Sequence, residues 1–327
     1  MQHKKNAFIS ELKKPELINQ EVKDSFFIRS ISDESNDTAR YELVLVDKTG
    51  TIKGNIWDNN IKDVYLSCQN SVCIVTAKVT RYHGSYCLSV SNMERLEKYQ
   101  SLDYCPHVDD PKKAYDDFVG MYGEDIKKPH MKALVDHFYK NDSAAKKLMI
   151  LQGGKAIHHS KIGGYVEHVS GVHVSCRNEA KNLSQTPANF DIEALLVGAD
   201  LHDIGKYKEY SPLPYNQITD EGYLIGHLNM SLCMVYNAIC KLRETMEFPK
   251  SDEIKILHLI ATSHSAADDI LTSQQLVKPM CPEALILSRM DALNSKCDGF
   301  AEAIITDQEQ GNVTKFNRIY EQYLYKA

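Results

Sequence analysis

The stretch LLVGADLHDIGKYKEY, residues 195–210, decides how the chain is read. An apolar run with helical spacing ends in His202-Asp203, followed by Ile204-Gly205-Lys206. Polar groups at a helix end packed on a core need partners, because burying them unpaired is costly. A neutral imidazole and a carboxylate are good ligands for a divalent metal. Neighbours on a helix point about 100° apart, so both can approach one ion from the helix end. Gly205 is expected to allow a left-handed helix stop. Taken alone, the dipeptide reads as a helix-end histidine paired with a local carboxylate.

Two further segments change that weighting. GGYVEHVSGV (163–172) places His168 early in an amphipathic helix. LILSRMDALNSK (285–296) places Asp291 in an otherwise apolar helix, where a buried carboxylate needs a cation or donors. His168, His202, Asp203 and Asp291 thus form an N/O set spread over three helices, and helix bundles build metal sites from facing helices in this way.

The chain has 327 residues, which favours two domains, and 43% of them are hydrophobic, enough for real cores. The formal net charge of -6 supplies no global basic field, so any nucleic-acid binding must be local. Nine cysteines without a CxxC pair read as thiols in a reducing compartment. The start, MQHKKNAFISELKK, lacks a signal-peptide apolar region, and no apolar run reaches membrane-spanning length. The expectation is a soluble, cytoplasmic protein with no membrane partner.

Residues from about 20 to 97 read as strands: FFIRSISD (26–33), then two in 40–57 around Asp47-Lys48-Thr49-Gly50, then two in 72–96 around His83-Gly84. IKDVYLSCQ (61–69) reads as a short helix between them. Five strands with a helix between the third and fourth is the OB-fold pattern, a small barrel that often binds single strands. Beyond Pro106 and Pro111 the chain reads as helices: 111–122, 129–140, 142–152, 163–182, 190–203, 219–243, 251–264, 281–306 and 313–325. The expected domains are therefore 1–100, an OB-fold barrel, and 101–327, all-α.

The order H…HD…D, centred on HDIGK, resembles the HD phosphohydrolase superfamily. With the OB-like leader, IHHSKIGGYVEHV (157–169), DEGYLIGHLNM (220–230), HLIATSH (258–264) and PEALILSRMDALNSK (282–296), the chain resembles the YhaM-type 3′-5′ exoribonucleases from about residue 20 to 310. The resemblance implies that His168, His202, Asp203 and Asp291 hold a divalent metal, Mn2+ first, with Mg2+, Co2+, Fe2+ or Ni2+ as alternatives. Asp203 would also orient the attacking water. Lys206 would lie near the phosphate, and His227 and His264 would serve a second ion or the phosphate. His158 and His159 match an upstream pair that lines the substrate entrance, with an exposed helix end as the equal alternative. Relatives often carry two histidines where this chain has Ser263-His264, and an aspartate where it has Asn294, so one ion and two ions both stay open. His258, about 120° round a helix from His264, reads as packing.

In the barrel, Tyr41, Trp57, Tyr82 and Tyr86 are candidate stacking groups, and Lys53, Lys78 and Arg81 candidate phosphate contacts. Aromatics in small barrels are more often core, so Tyr82 and Tyr86, flanking a turn, are the better candidates. The expected function is metal-dependent 3′-5′ hydrolysis of single-stranded RNA, with DNA also open, by a chain that could self-associate. Two rivals stand: a phosphodiesterase or phosphohydrolase of small or cyclic nucleotides, and a non-catalytic single-strand-binding protein.

Overall fold

The computed structural model describes residues 4–33, 41–57, 66–82, 84–154, 158–183, 190–211, 217–265, 277–307 and 309–326. Two compact units divide between His107 and Val108.

The first unit is a closed barrel of five strands, β1 Glu21–Asp33, β2 Tyr41–Asp47, β3 Gly50–Ile56, β4 Ser71–Tyr82 and β5 Ser85–Arg95, in the order β1-β2-β3-β5-β4. Neighbouring strands are antiparallel except β3 and β5, whose parallel pairing at Lys53–Asn55 closes the ring. Closure leaves no bare strand edge to template aggregation. Alternation places Phe26, Ile28, Leu43, Leu45, Val75, Val79 and Leu88 inside. The β2–β3 turn falls where the sequence puts it: Asp47 Oδ1 accepts the Thr49 backbone N–H at 2.8 Å and its hydroxyl at 2.6 Å. Residues 61–65 of the expected short helix, and His83 of the expected β4–β5 turn, lie outside the described residues.

The second unit is mostly helical rather than all-α, since Tyr210–Ser211 pairs antiparallel with Gln217–Ile218: α1 Pro111–Asp125, α2 Pro129–Tyr139, α3 Asp142–Ile150, α4 Gly164–Leu183, α5 Ile192–Leu201, α6 Lys206–Glu209, α7 Asp220–Ile225, α8 His227–Leu242, α9 Lys250–Thr262 and α10 Pro282–Thr306. Their starts follow capping chemistry. Asp110 accepts from Lys113 N at 2.9 Å ahead of Pro111, and Asp191 accepts from Ala194 N at 3.1 Å. Helix α5 packs against α4, α9 and α10 and is buried from Ala194 to Leu201, so it forms the centre of the bundle. Among the described residues, no helix is long and apolar enough to cross a membrane.

Three expectations are corrected. The helix expected over 219–243 is two, broken at Gly226 (φ 73°), which restarts the chain with His227 at the head of α8. Gly205 is not a left-handed stop, since its φ is -62° and its ψ -24°. Its lack of a side chain serves a close approach instead: a Cβ there would lie 2.0 Å from the His227 carbonyl oxygen. No helix spans 313–325. Val313 pairs with Tyr325 and Asn317 with Gln322 in antiparallel bridges, and Glu321 has φ 52°.

Candidate metal centre

Helix α5 delivers His202 as its C-cap, and the turn after it delivers Asp203. Helix α4 contributes His168, α10 contributes Asp291, the head of α8 contributes His227, and the residues just past α9 contribute His264. The six side chains converge. His168 Nε2 is 3.4 Å from Asp203 Oδ2 and 3.3 Å from Asp291 Oδ1. His202 Nε2 is 3.5 Å and 3.7 Å from the same two oxygens. On the other side, His227 Nε2 and His264 Nε2 each lie 3.5 Å from Asp203 Oδ1, and 3.1 Å from each other. His264 Nδ1–H donates to Asp291 Oδ2 at 2.8 Å. Asp203 and Asp291 thus each face both halves of the cluster.

The buried donor atoms fit a cation. His168 Nε2, His202 Nε2 and Asp203 Oδ1 are buried with no hydrogen-bond partner, which buried polar groups rarely tolerate. Donor atoms about 2.1 Å from a shared ion lie roughly 3 to 3.5 Å apart, the spacing found here. His168, His202 and Asp291 form one such triad, and Asp203, His227 and His264 another, each with its donor atoms within 4.8 Å of one another. The rings are turned for the task by bonds on their far nitrogens. His202 Nδ1–H donates to Ala199 O at 2.8 Å, His168 Nδ1–H to Asn294 Oδ1 at 2.8 Å, and His227 Nδ1–H to Glu209 Oε1 at 2.9 Å. Each bond leaves Nε2 facing the cluster.

The electrostatics favour positive charge at this point. Burial alone would lower the His168 pKa, yet the carboxylates of Asp203 and Asp291 beside it outweigh burial and push the value up to about 9. Burial is likewise overcome at His264 by Asp291 and Asp203, and its value rises to about 10. Asp203 and Asp291 are held well below the usual carboxylate range: burial would raise both, but Lys206 and His202 override it at the first, and His264 and His168 at the second.

Other sequence candidates take definite positions. Lys206 is buried, its Nζ 2.7 Å from Asp203 Oδ2 and donating to Gly153 O at 2.5 Å. His158 keeps a buried Nδ1 with no hydrogen-bond partner; burial first, then Lys206, lowers its pKa to about 4. His159 is buried and reaches Asn294 Oδ1 through Nε2 at 2.9 Å and Glu167 through Nδ1 at 2.9 Å. Ser263 donates its hydroxyl to Ile260 O at 3.0 Å, so it bonds its own helix. His258 accepts the Met280 N–H at 2.9 Å and joins none of these triads. Glu209 was not singled out by sequence reasoning; its only signal there is a carboxylate at the end of the HDIGK segment.

In the barrel, Tyr82 is 43% exposed and Trp57 52%, whereas Tyr41, at 5%, is core. Tyr86 is half-buried, with its hydroxyl accepting from Arg81 at 2.8 Å and the guanidinium 4.5 Å from its ring centre. Lys78 is exposed on β4. Lys53 pairs with Glu42 at 2.7 Å.

A bundle that gathers histidines and aspartates from separated helices around one point has the build of an HD domain, and residues 165–295 match the HD domain family model. Over most of its length the chain is similar to proteins named 3'-5' exoribonuclease YhaM. That of Bacillus velezensis is 26% identical over 284 residues, covering 85% of this chain and 86% of the relative. That of Bacillus subtilis is 26% identical, covering 83% and 82%, and that of Halalkalibacterium halodurans 23%, covering 88% and 87%. The chain thus joins a closed barrel to a region that matches the HD domain family, and it is similar over most of its length to the YhaM exoribonucleases.

Proposed function

We propose that this protein is a metal-dependent 3′-5′ exoribonuclease that releases nucleoside monophosphates from single-stranded RNA. The observation that carries the reading is the convergence of His168, His202, Asp203 and Asp291 on one buried point with donor atoms left unpartnered. The named activity of the YhaM relatives supports RNA and the 3′-5′ direction.

His168, His202 and Asp291 would hold one ion and His227 and His264 a second, with Asp203 facing both. Bound divalent ions lower the pKa of coordinated water and offset charge on the phosphodiester oxygens. Asp203 would orient the attacking water. Lys206 holds the Asp203 carboxylate in place from its buried position, and its charge would act on the scissile phosphate at close range. His158, kept neutral by burial, would line the substrate entrance, and His159 would brace it. Tyr82 and Tyr86 would stack bases, and Lys78 and Arg81 would meet phosphates. We read Mn2+ as the working ion, the cytoplasm as the location, and self-association as compatible with the chain. The barrel and the relatives favour a polymer over a small nucleotide.

The test is an end-labelled RNA with Mn2+. A ladder shortening from the 3′ end is expected, and Asp203→Ala should abolish it while leaving RNA binding. Absence of any ladder under several metals sinks the proposal.

A further inference from the structure

His168 binds a cation usefully only if its ring presents Nε2 inward and carries its proton on Nδ1. We propose that Asn294 is the positioning residue that enforces this orientation. The inference rests on the metal reading above.

Asn294 lies three residues after Asp291 on α10, so both project from one face of that helix. Its Oδ1 accepts from His168 Nδ1 at 2.8 Å and from His159 Nε2 at 2.9 Å, and a carbonyl oxygen has two lone pairs for the two bonds. The amide nitrogen is what packs toward α4 at Gly171, three residues after His168. A Cβ on Gly171 would lie 2.5 Å from Asn294 Nδ2. Helix α4 therefore carries a notch that seats the amide and aims its oxygen back at His168.

His159 is itself anchored. Its backbone N–H donates to Asp298 Oδ2 at 2.6 Å, and its Nδ1 lies 2.9 Å from Glu167 Oε2. The φ of 46° at His159 marks a backbone held in a demanding conformation. The anchored imidazole occupies one lone pair of Asn294 and leaves the other for His168. Without the acceptor, the His168 ring loses the bond that selects its inward nitrogen.

The experiment is Mn2+ titration calorimetry on the full chain, with melting curves in chelator to check folding. Asn294→Leu should weaken Mn2+ binding by about 10–100-fold, and Asn294→Asp, which keeps an acceptor oxygen, should stay within a few-fold of wild type. Gly171→Ala displaces the amide without touching any acceptor, and should weaken binding in the same direction even if Asn294→Leu does not fold. A role in packing alone predicts that Asp and Leu behave alike. The proposal is overturned if the folded Leu or Ala variant binds as tightly as wild type, or if Asn294→Asp loses as much as Asn294→Leu. Wild-type protein that binds no Mn2+ would overturn the metal reading itself, a separable result.

Discussion

Glu209 holds His227 by both of its N–H groups. One carboxylate oxygen, Oε1, accepts the ring Nδ1–H at 2.9 Å and the backbone N–H at 3.1 Å. The pair fixes the head of α8 and the direction of the imidazole together. Glu209→Ala should therefore weaken the half of the centre built from Asp203, His227 and His264 by about 10–100-fold in metal affinity. Calorimetry reads this as a lost or weakened second binding step, with the first step preserved. An unchanged isotherm contradicts the assignment.

A second prediction concerns pH. Glu283 is buried at the start of α10, where Oε1 accepts from Lys255 Nζ at 2.8 Å and from Asp191 N at 2.7 Å. Burial alone would raise its pKa, but the Lys255 bond outweighs it and holds the carboxyl below its ordinary range. A carboxyl depressed in the fold stabilises above its unfolded pKa, and loses that contribution as pH falls through the folded value. Glu283→Gln should cost about 1.5–3 kcal/mol near neutral pH, as expected for hydrogen bonds to a charged group. The gap to wild type should shrink as the pH falls from the ordinary carboxylate range through the depressed folded value. Urea unfolding at a series of pH values checks this; a gap independent of pH rules it out.

The barrel aromatics separate into two kinds. Tyr82 is exposed and Tyr41 is core. Tyr82→Ala should leave the melting temperature near wild type and weaken single-strand binding by about 1–3 kcal/mol, the worth of one stacked base. Tyr41→Ala should instead destabilise the fold by about 3–5 kcal/mol, as large aromatic truncations in cores do. Fluorescence anisotropy and thermal melts distinguish them. Equal effects of both variants on binding and melting would contradict the division.

Much of this was legible in the sequence because metal donors in apolar helices stand out against their surroundings. His202-Asp203 and Asp291 are costly where the pattern places them, and the structure brings them together with His168. What pattern could not give was the company each ligand keeps. Glu209 looks like an ordinary polar residue, and Asn294 stands out only as a departure from an aspartate, until the fold sets both behind an imidazole. The segment 313–325 misled for a different reason. Val313, Phe316, Ile319 and Tyr323 have helical spacing, yet all are exposed. Asn317 Oδ1 accepts the backbone N–H groups of Ile319 at 2.9 Å and Tyr320 at 3.2 Å, a local bonding pattern that competes with the helix. Gly205 was read through its conformational freedom, when its value lies in the space it leaves for the His227 carbonyl.

The proposed hydrolysis requires that one buried point bind a divalent cation. The most direct measurement is anomalous diffraction at the manganese edge from crystals equilibrated with Mn2+. A peak is expected within bonding distance, about 2.0–2.4 Å, of His168 Nε2, His202 Nε2 and the carboxylates of Asp203 and Asp291. A map at saturating Mn2+ with no peak among these four side chains would contradict it.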